Sequence, residues 1–162
     1  MTTKVTALLD AHGVAYRLLP HSEPVFTVEA AARQRGVVKE EMVKSILLRE
    51  KAEPRRYVMA CVLGHMRLDP QAVREALPGE WKRLTFASAA EILAVTGYVQ
   101  GAVNPLCLPP EIPIVFDEAI AACTKVNISS GDPLLGIELA AADLIRLTDA
   151  ALAPIARTAD VS

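Results

Sequence analysis

Two apolar runs, Ser45–Arg49 and Tyr57–Leu63, flank a charged stretch at residues 50–56 that contains Pro54. Each run is too short for a stable helix, and Pro54 with its charged neighbours supplies a turn, so the pair is expected to form a β-hairpin. The rest of the chain then has to cover that hairpin. Val5, Leu8 and Leu9 recur at helical spacing before Gly13, and Val14–Leu19 reads as a strand closed by Pro20. His21–Pro24 is a loop. Thr27 is a good N-cap for a helix over Val28–Gln34, with Glu29 near its positive end and Gly36 at its stop. Lys39–Val43 suggests a short helical turn into the hairpin. Asp69 caps a helix over Pro70–Ala76, and Ser88 caps Ala89–Val95 before Gly97.

The second half is read in the same way. Tyr98–Val103 is expected to be short and extended, followed by a loop punctuated by Pro105, Pro109, Pro110 and Pro113. Ile114–Phe116, Lys125–Ser129 and Leu134–Glu138 read as strands, with a short Ala-rich helix opened by Asp117 and a turn at Gly131–Pro133. Ala140–Leu147 is the last clear helix, and the tail beyond it carries no strong signal. Strands and helices mix without a steady βα alternation. The expected class is α+β, with a mixed, largely antiparallel sheet flanked by helices. With no internal repeat and no long linker, residues 1–162 are expected to be a single domain.

Composition narrows the function classes. The chain is 52% hydrophobic and 22% charged, an ordinary globular balance, but has only seven aromatic residues. A broad stacking platform for single-stranded nucleic acid is not expected. The net charge of −2 excludes a non-specific glove for a polyanion, and no DNA partner is expected. Residues 33–56 nevertheless hold eight basic side chains against four acidic ones. That segment reads either as a solvated mixed-charge face or as a small phosphate-facing patch suited to an RNA end. Cys61, Cys107 and Cys123 lack CxxC spacing, and His12, His21 and His65 lack an HExxH pattern. No disulfide framework, metal site or cofactor is expected. The N-terminus lacks a signal-peptide apolar region, and no apolar run is long enough to span a bilayer. A cytoplasmic protein without a membrane partner is the expectation.

Familiar catalytic signatures are missing: there is no GxSxG elbow, no Walker loop and no dinucleotide fingerprint. Three segments remain as candidates. Lys44 stands where a helical turn passes into a strand. It reads either as a lysine snorkelling at a strand end or as a cation at the rim of a pocket, holding a phosphate or a developing oxyanion. Gly101-Ala102-Val103-Asn104-Pro105 is a loop whose amides can converge on an anion or a carbonyl oxygen. Ser129-Ser130-Gly131-Asp132 can be an ordinary turn or a ligand contact.

In order, MVKSILL, TGYVQGAVNPL, NISSG and GIELAAADL, with PVFTVE after His21, resemble the YbaK/ProX aminoacyl-tRNA deacylases and the editing insertion of bacterial prolyl-tRNA synthetases. The resemblance covers about residues 3–150 and implies the YbaK-type editing fold. It also implies hydrolysis of the ester joining a mismatched amino acid to the tRNA 3′ adenosine, with no cofactor. Its partners would be a mischarged tRNA acceptor end and, secondarily, an aminoacyl-tRNA synthetase. Residue by residue, it makes Lys44 and Gly101 catalytic. His21, Thr27, Ser45, Ala102, Val103, Asn104, Pro105, Ser129, Ser130 and Gly131 would contact substrate. Cys- or Ala-tRNA(Pro) leads the expected substrates. Two departures bear on specificity: Leu19 replaces an aromatic of many Cys-specific relatives, and Gly136 replaces a charged or polar residue of several relatives. Two other functions fit the same residues, a non-catalytic tRNA- or synthetase-binding module and a hydrolase of metabolite esters.

Overall fold

The structure is a computed structural model describing residues 2–157. In chain order its elements are α1 (Lys4–Ala11), β1 (Tyr16–Pro20), α2 (Val28–Arg35), β2 (Val43–Glu50), β3 (Tyr57–Leu63), β4 (Arg67–Leu68), α3 (Pro70–Ala76) and β5 (Leu84–Phe86). They continue with α4 (Ala89–Thr96), β6 (Ile114–Asp117), β7 (Lys125–Ser129), β8 (Leu135–Ala140), α5 (Ala141–Thr148), β9 (Ala151–Ala153) and β10 (Ala156–Arg157). Short 3-10 turns occupy Lys39–Glu41 and Glu118–Ala122. The architecture is α+β, as the irregular order of apolar patterns requires.

The expected hairpin is the centre of a five-stranded sheet ordered β5-β2-β3-β6-β9, in which β6 runs parallel to β3 and β9 parallel to β6. Its middle strand explains its own sequence. Met59, Cys61 and Leu63 face one apolar cluster, whereas Val58, Ala60 and Val62 face another. A strand covered on both faces reads as a continuous apolar run because neither side is left to water. The first cluster packs the sheet against α1, α5 and a second, antiparallel sheet ordered β1-β8-β7. The other face is covered by Val73, in the middle of α3, and Leu77, just beyond its end. Met42, just before β2, bridges to Asn127 of β7 and so joins the two sheets.

Helix ends follow the expected chemistry. Thr27 Oγ1 accepts from the Ala30 amide at 3.1 Å, Asp69 accepts from Gln71, and Ser88 and Glu91 cap each other's backbone reciprocally. One expectation is corrected, and one unassigned stretch gains structure. Tyr98–Val103 is a tight turn rather than an extended segment, because its polar atoms are satisfied locally around the buried Tyr98 and Thr96. The tail beyond α5 does form strands: the buried Asp117 carboxylate accepts the amides of Ile155 and Ala156 at 3.0 and 3.1 Å. Residues beyond 157 lie outside the described residues.

Glu50 closes the far end of β2. Its side chain, 1% exposed, accepts from the Arg56 backbone and guanidinium and from the Lys82 amide at 2.8–3.1 Å. The Arg56 side chain, then the backbone donors, hold its carboxyl at about 2 against an ordinary 4.5, although burial opposes them. The native state therefore stays ionised where the unfolded chain takes up a proton. The resulting stabilisation is complete above pH 4.5 and disappears as pH falls toward about 2. Glu50→Gln should cost about 2 kcal/mol at neutral pH, the scale of hydrogen bonds to a charged group. It should also flatten the acid limb of stability, as urea unfolding across that pH window will read.

Candidate active site

Along one side β2 pairs with β3 from Val43 to Arg49, but along the other β5 covers it only from Leu48 to Glu50. The uncovered stretch, Val43–Leu47, borders a cavity of about 440 Å³. The cavity is also lined by Thr27, Ala31 and Arg35 of α2 and its cap, by Gly101 and Val103, and by Ser129 of β7. Phe26 and Phe86, 65% and 55% exposed, flank the mouth.

The open edge brings main-chain groups into play. Leu47 directs its carbonyl away from β3, where it accepts from Ala87 at 3.0 Å. Along a strand, peptide groups two residues apart point the same way. The Leu47 N–H and both peptide groups of Ser45 are therefore turned toward the cavity side. These amides can stabilise negative charge on a carbonyl oxygen in addition to any supplied by the Gly101 loop. The sequence reading overlooked them, since main-chain donors leave no residue-type signature; the signal was a strand longer than the neighbour that covers it.

Lys44 alternates with Ser45 and is half-buried at the start of β2. Its ammonium donates to the Met66 carbonyl, which fixes the side chain across the end of the sheet. Burial lowers its pKa from the usual lysine value, Glu29 opposes that shift, and Lys39 adds to it. One N–H is used by Met66; two further donors remain on the ammonium. The Ser45 hydroxyl accepts weakly from the Cys61 thiol at 3.4 Å. Burial pushes that thiol up to about 12, so Cys61 is no nucleophile.

Gly101 has φ +91°, and a Cβ there would lie 2.9 Å from Phe26 Cδ1 and 3.2 Å from Phe26 Cα. Glycine thus allows the turn to pass close to the segment that leads into α2. Val103, like Gly101, lines the cavity, but Ala102, Asn104 and Pro105 are buried behind it. Asn104, fully buried, donates to the Ser129 carbonyl and accepts from the Leu106 amide at 2.7 Å, binding the loop to β7. Ser129 reaches the cavity. Ser130 does not: its buried hydroxyl donates to the Leu135 carbonyl at 2.7 Å. Gly131, at φ +93°, leaves room for the Tyr98 ring, which a Cβ would approach to 3.1 Å. In this arrangement Ala102, Asn104, Pro105, Ser130 and Gly131 shape the wall from behind and do not line the cavity.

His21 also stands outside the cavity. Its Nδ1 lies 3.0 Å from the Pro133 carbonyl, and its Nε2 is 3.0 Å from Arg35 Nε. A carbonyl only accepts and a guanidinium only donates, so the ring must be neutral with its proton on Nδ1. Burial, joined by the Arg35 charge and opposed by the Pro133 hydrogen bond and Asp132, lowers its pKa from the usual histidine value. Arg35 itself lines the cavity, and burial pushes its pKa down to about 10. It lies over Gly136: a Cβ on that glycine would sit 2.3 Å from Arg35 Nε and 2.7 Å from Cζ. Sequence reading passed over Arg35 as one of a basic cluster, although a glycine inside a strand already signals a close approach by another group.

These features define an α+β protein with a set of donors around an open cleft: an ammonium, an open strand edge and a glycine turn. Among the described residues no cluster of His, Cys, Asp and Glu could hold a metal ion. The family model for the aminoacyl-tRNA editing domain matches residues 22–147, and the chain belongs to that family. It is 26% identical over 158 residues to the multifunctional Ser/Thr-tRNA deacylase ProXp-y of Escherichia coli, covering 96% of this chain and 93% of that one. A relative in Enterococcus faecalis, provisionally named a Cys-tRNA(Pro)/Cys-tRNA(Cys) deacylase, EbsC, is 24% identical over 156 residues, covering 94% of this chain and 92% of its own. The crystal structure of the hypothetical protein APE2540 superposes with a TM-score of 0.82 at 30% identity, covering 96% of this chain and 100% of that one.

Proposed function

We propose that this protein is a trans-editing deacylase that hydrolyses the ester between a mismatched amino acid and the 3′ adenosine of a tRNA. The observation that carries the reading is the shared cavity: Lys44, the edge of β2 and the Gly101 turn all border it. An aminoacyl ester is already activated. In the proposed reaction water adds to the acyl carbon, the carbonyl oxygen takes up negative charge beside the edge amides, and the ester C–O bond then breaks. The leaving ribose oxygen collects the proton that the water has lost. No side-chain nucleophile is needed when orientation and oxyanion donors are supplied. Lys44 serves the phosphate side of the nucleotide or the oxyanion.

The walls are mostly apolar, which discriminates neighbouring amino acids by only about 1–3 kcal/mol. Cys- and Ala-tRNA(Pro) are the first substrates to try, with Ser- and Thr-tRNA beside them in view of the relatives' names. A cytoplasmic location accords with translation quality control and with the free thiols of Cys61, Cys107 and Cys123. No helix among the described residues is long and apolar enough to cross a membrane. The test is hydrolysis across a panel of mischarged tRNAs, with free aminoacyl esters in parallel. Turnover of a tRNA ester well above that of the free ester is expected. Esters that survive stoichiometric protein would point to a binding module, and equal turnover of free esters would point to a metabolite hydrolase.

A further inference from the structure

We infer that Arg35 is a substrate-binding residue, an anion clamp whose guanidinium receives a phosphate or carboxylate group of the bound substrate. The inference rests on the deacylase reading for the identity of the substrate, but the anion site stands on its own geometry. Arg35 is the last residue of α2 and lines the cavity. Among the described residues no carboxylate lies within ion-pair distance of it, whereas Arg17, Arg49, Arg55, Arg56, Arg146 and Arg157 all have one. A half-buried guanidinium without a counter-ion carries an electrostatic penalty that a bound anion relieves.

Its orientation is fixed from two sides. The neutral His21 ring accepts from Nε, which leaves the two terminal nitrogens to present the paired donors that suit a carboxylate or phosphate. Gly136 provides the space beneath, since any side chain there would collide with Nε and Cζ. Gly136 is paired with Ser129, a cavity residue, so the guanidinium lies over the part of the sheet that Ser129 contributes to the cavity. Asn127, two residues before Ser129 on the same face of β7, is 1% exposed, and neither polar atom of its amide has a partner. A buried amide without a partner thus shares a strand face with the cavity residue Ser129. His21 is a positioning residue, which gives it a role although it does not border the cavity.

Two sources offer the required anion: the phosphate 5′ to the terminal adenosine, and a carboxylate on the attached amino acid. The ¹⁵N resonance of Arg35 Nε, followed during titration with inorganic phosphate and with acetate, reports binding whether or not the protein hydrolyses anything. Saturable shifts with either probe are expected, and none with either would overturn the clamp. Deacylation is then compared in wild type, Arg35→Gln and Gly136→Ala, the last of which displaces the guanidinium without removing its charge. A loss of about tenfold to a hundredfold is expected in both variants. With a phosphate as the anion, the loss extends to every aminoacyl-tRNA and vanishes on 3′-aminoacyl-adenosine, which lacks that phosphate. With a carboxylate, it is confined to Asp- and Glu-tRNA. Wild-type rates in both variants on all substrates would overturn the proposal. If Arg35→Gln unfolds, Arg35→Lys, which keeps charge but not the fork, takes its place under the same criterion. A wild type that is inert on all esters yet binds phosphate at Arg35 would sink the deacylase reading and leave the clamp standing.

Discussion

Gly101→Ala is expected to lower the deacylation rate by on the order of a hundredfold or more, the scale of losing a positioned oxyanion donor. Two effects combine. The residue sits at φ +91°, where an L side chain is strained by about 1–3 kcal/mol. The new Cβ also meets Phe26 at 2.9 Å from the ring and 3.2 Å from the backbone Cα, and backbone cannot swing aside as a flexible side chain can. The turn must therefore retreat from the segment leading into α2, carrying its amides away from the cavity. Gly79→Ala is the control. That position has φ +77° with nothing within 4 Å, so it carries the strain without the collision. It should lose about 1 kcal/mol of stability and no activity. Single-turnover rates beside denaturation midpoints separate the two, and equal activity losses in both variants would refute a local role for the turn.

Lys44→Ala should remove deacylation by a similar factor, on the order of a hundredfold, while the fold survives. Structurally the substitution removes one hydrogen bond, from the ammonium to the Met66 carbonyl at a strand end, worth about 1.5 kcal/mol, the low end for a charged donor. Catalytically it removes the one ammonium that the cavity's lining provides. Lys44→Met keeps most of the apolar stem and should be just as inactive, which distinguishes loss of charge from loss of packing. An undiminished rate on the true substrate in either variant would show that the ammonium is only a structural tie.

Much of the architecture was readable because local signals and burial agree. The β2–β3 hairpin announces itself through two apolar runs around Pro54. The helices announce themselves through Thr27, Asp69 and Ser88 at their starts and through Gly36 and Gly97 at two of their ends. Short elements held by distant partners were not readable. β9 and β10 depend on Asp117, and the turn at Tyr98–Val103 depends on a buried tyrosine bonded to Leu106. In the cleft, the residues singled out at Lys44, Gly101 and Ser129 do border one space. Ala102 and Ser130, adjacent in sequence to two of them, are buried behind it instead, because a motif names a stretch of chain and not a direction. Arg35 was hidden for a further reason: its place is created by a missing side chain at Gly136, far along the chain.

The bare edge of β2 has a consequence for inheritance. A hydrogen-bond donor that belongs to the peptide unit is encoded by every codon except those for proline, so missense changes at Ser45 or Leu47 can resize the cleft without deleting its amides. In the proposed deacylase, selection can thus explore new amino acids to reject while the edge amides persist unaltered. A proline at either position, or an insertion that lengthened β5 to cover that edge, would silence them.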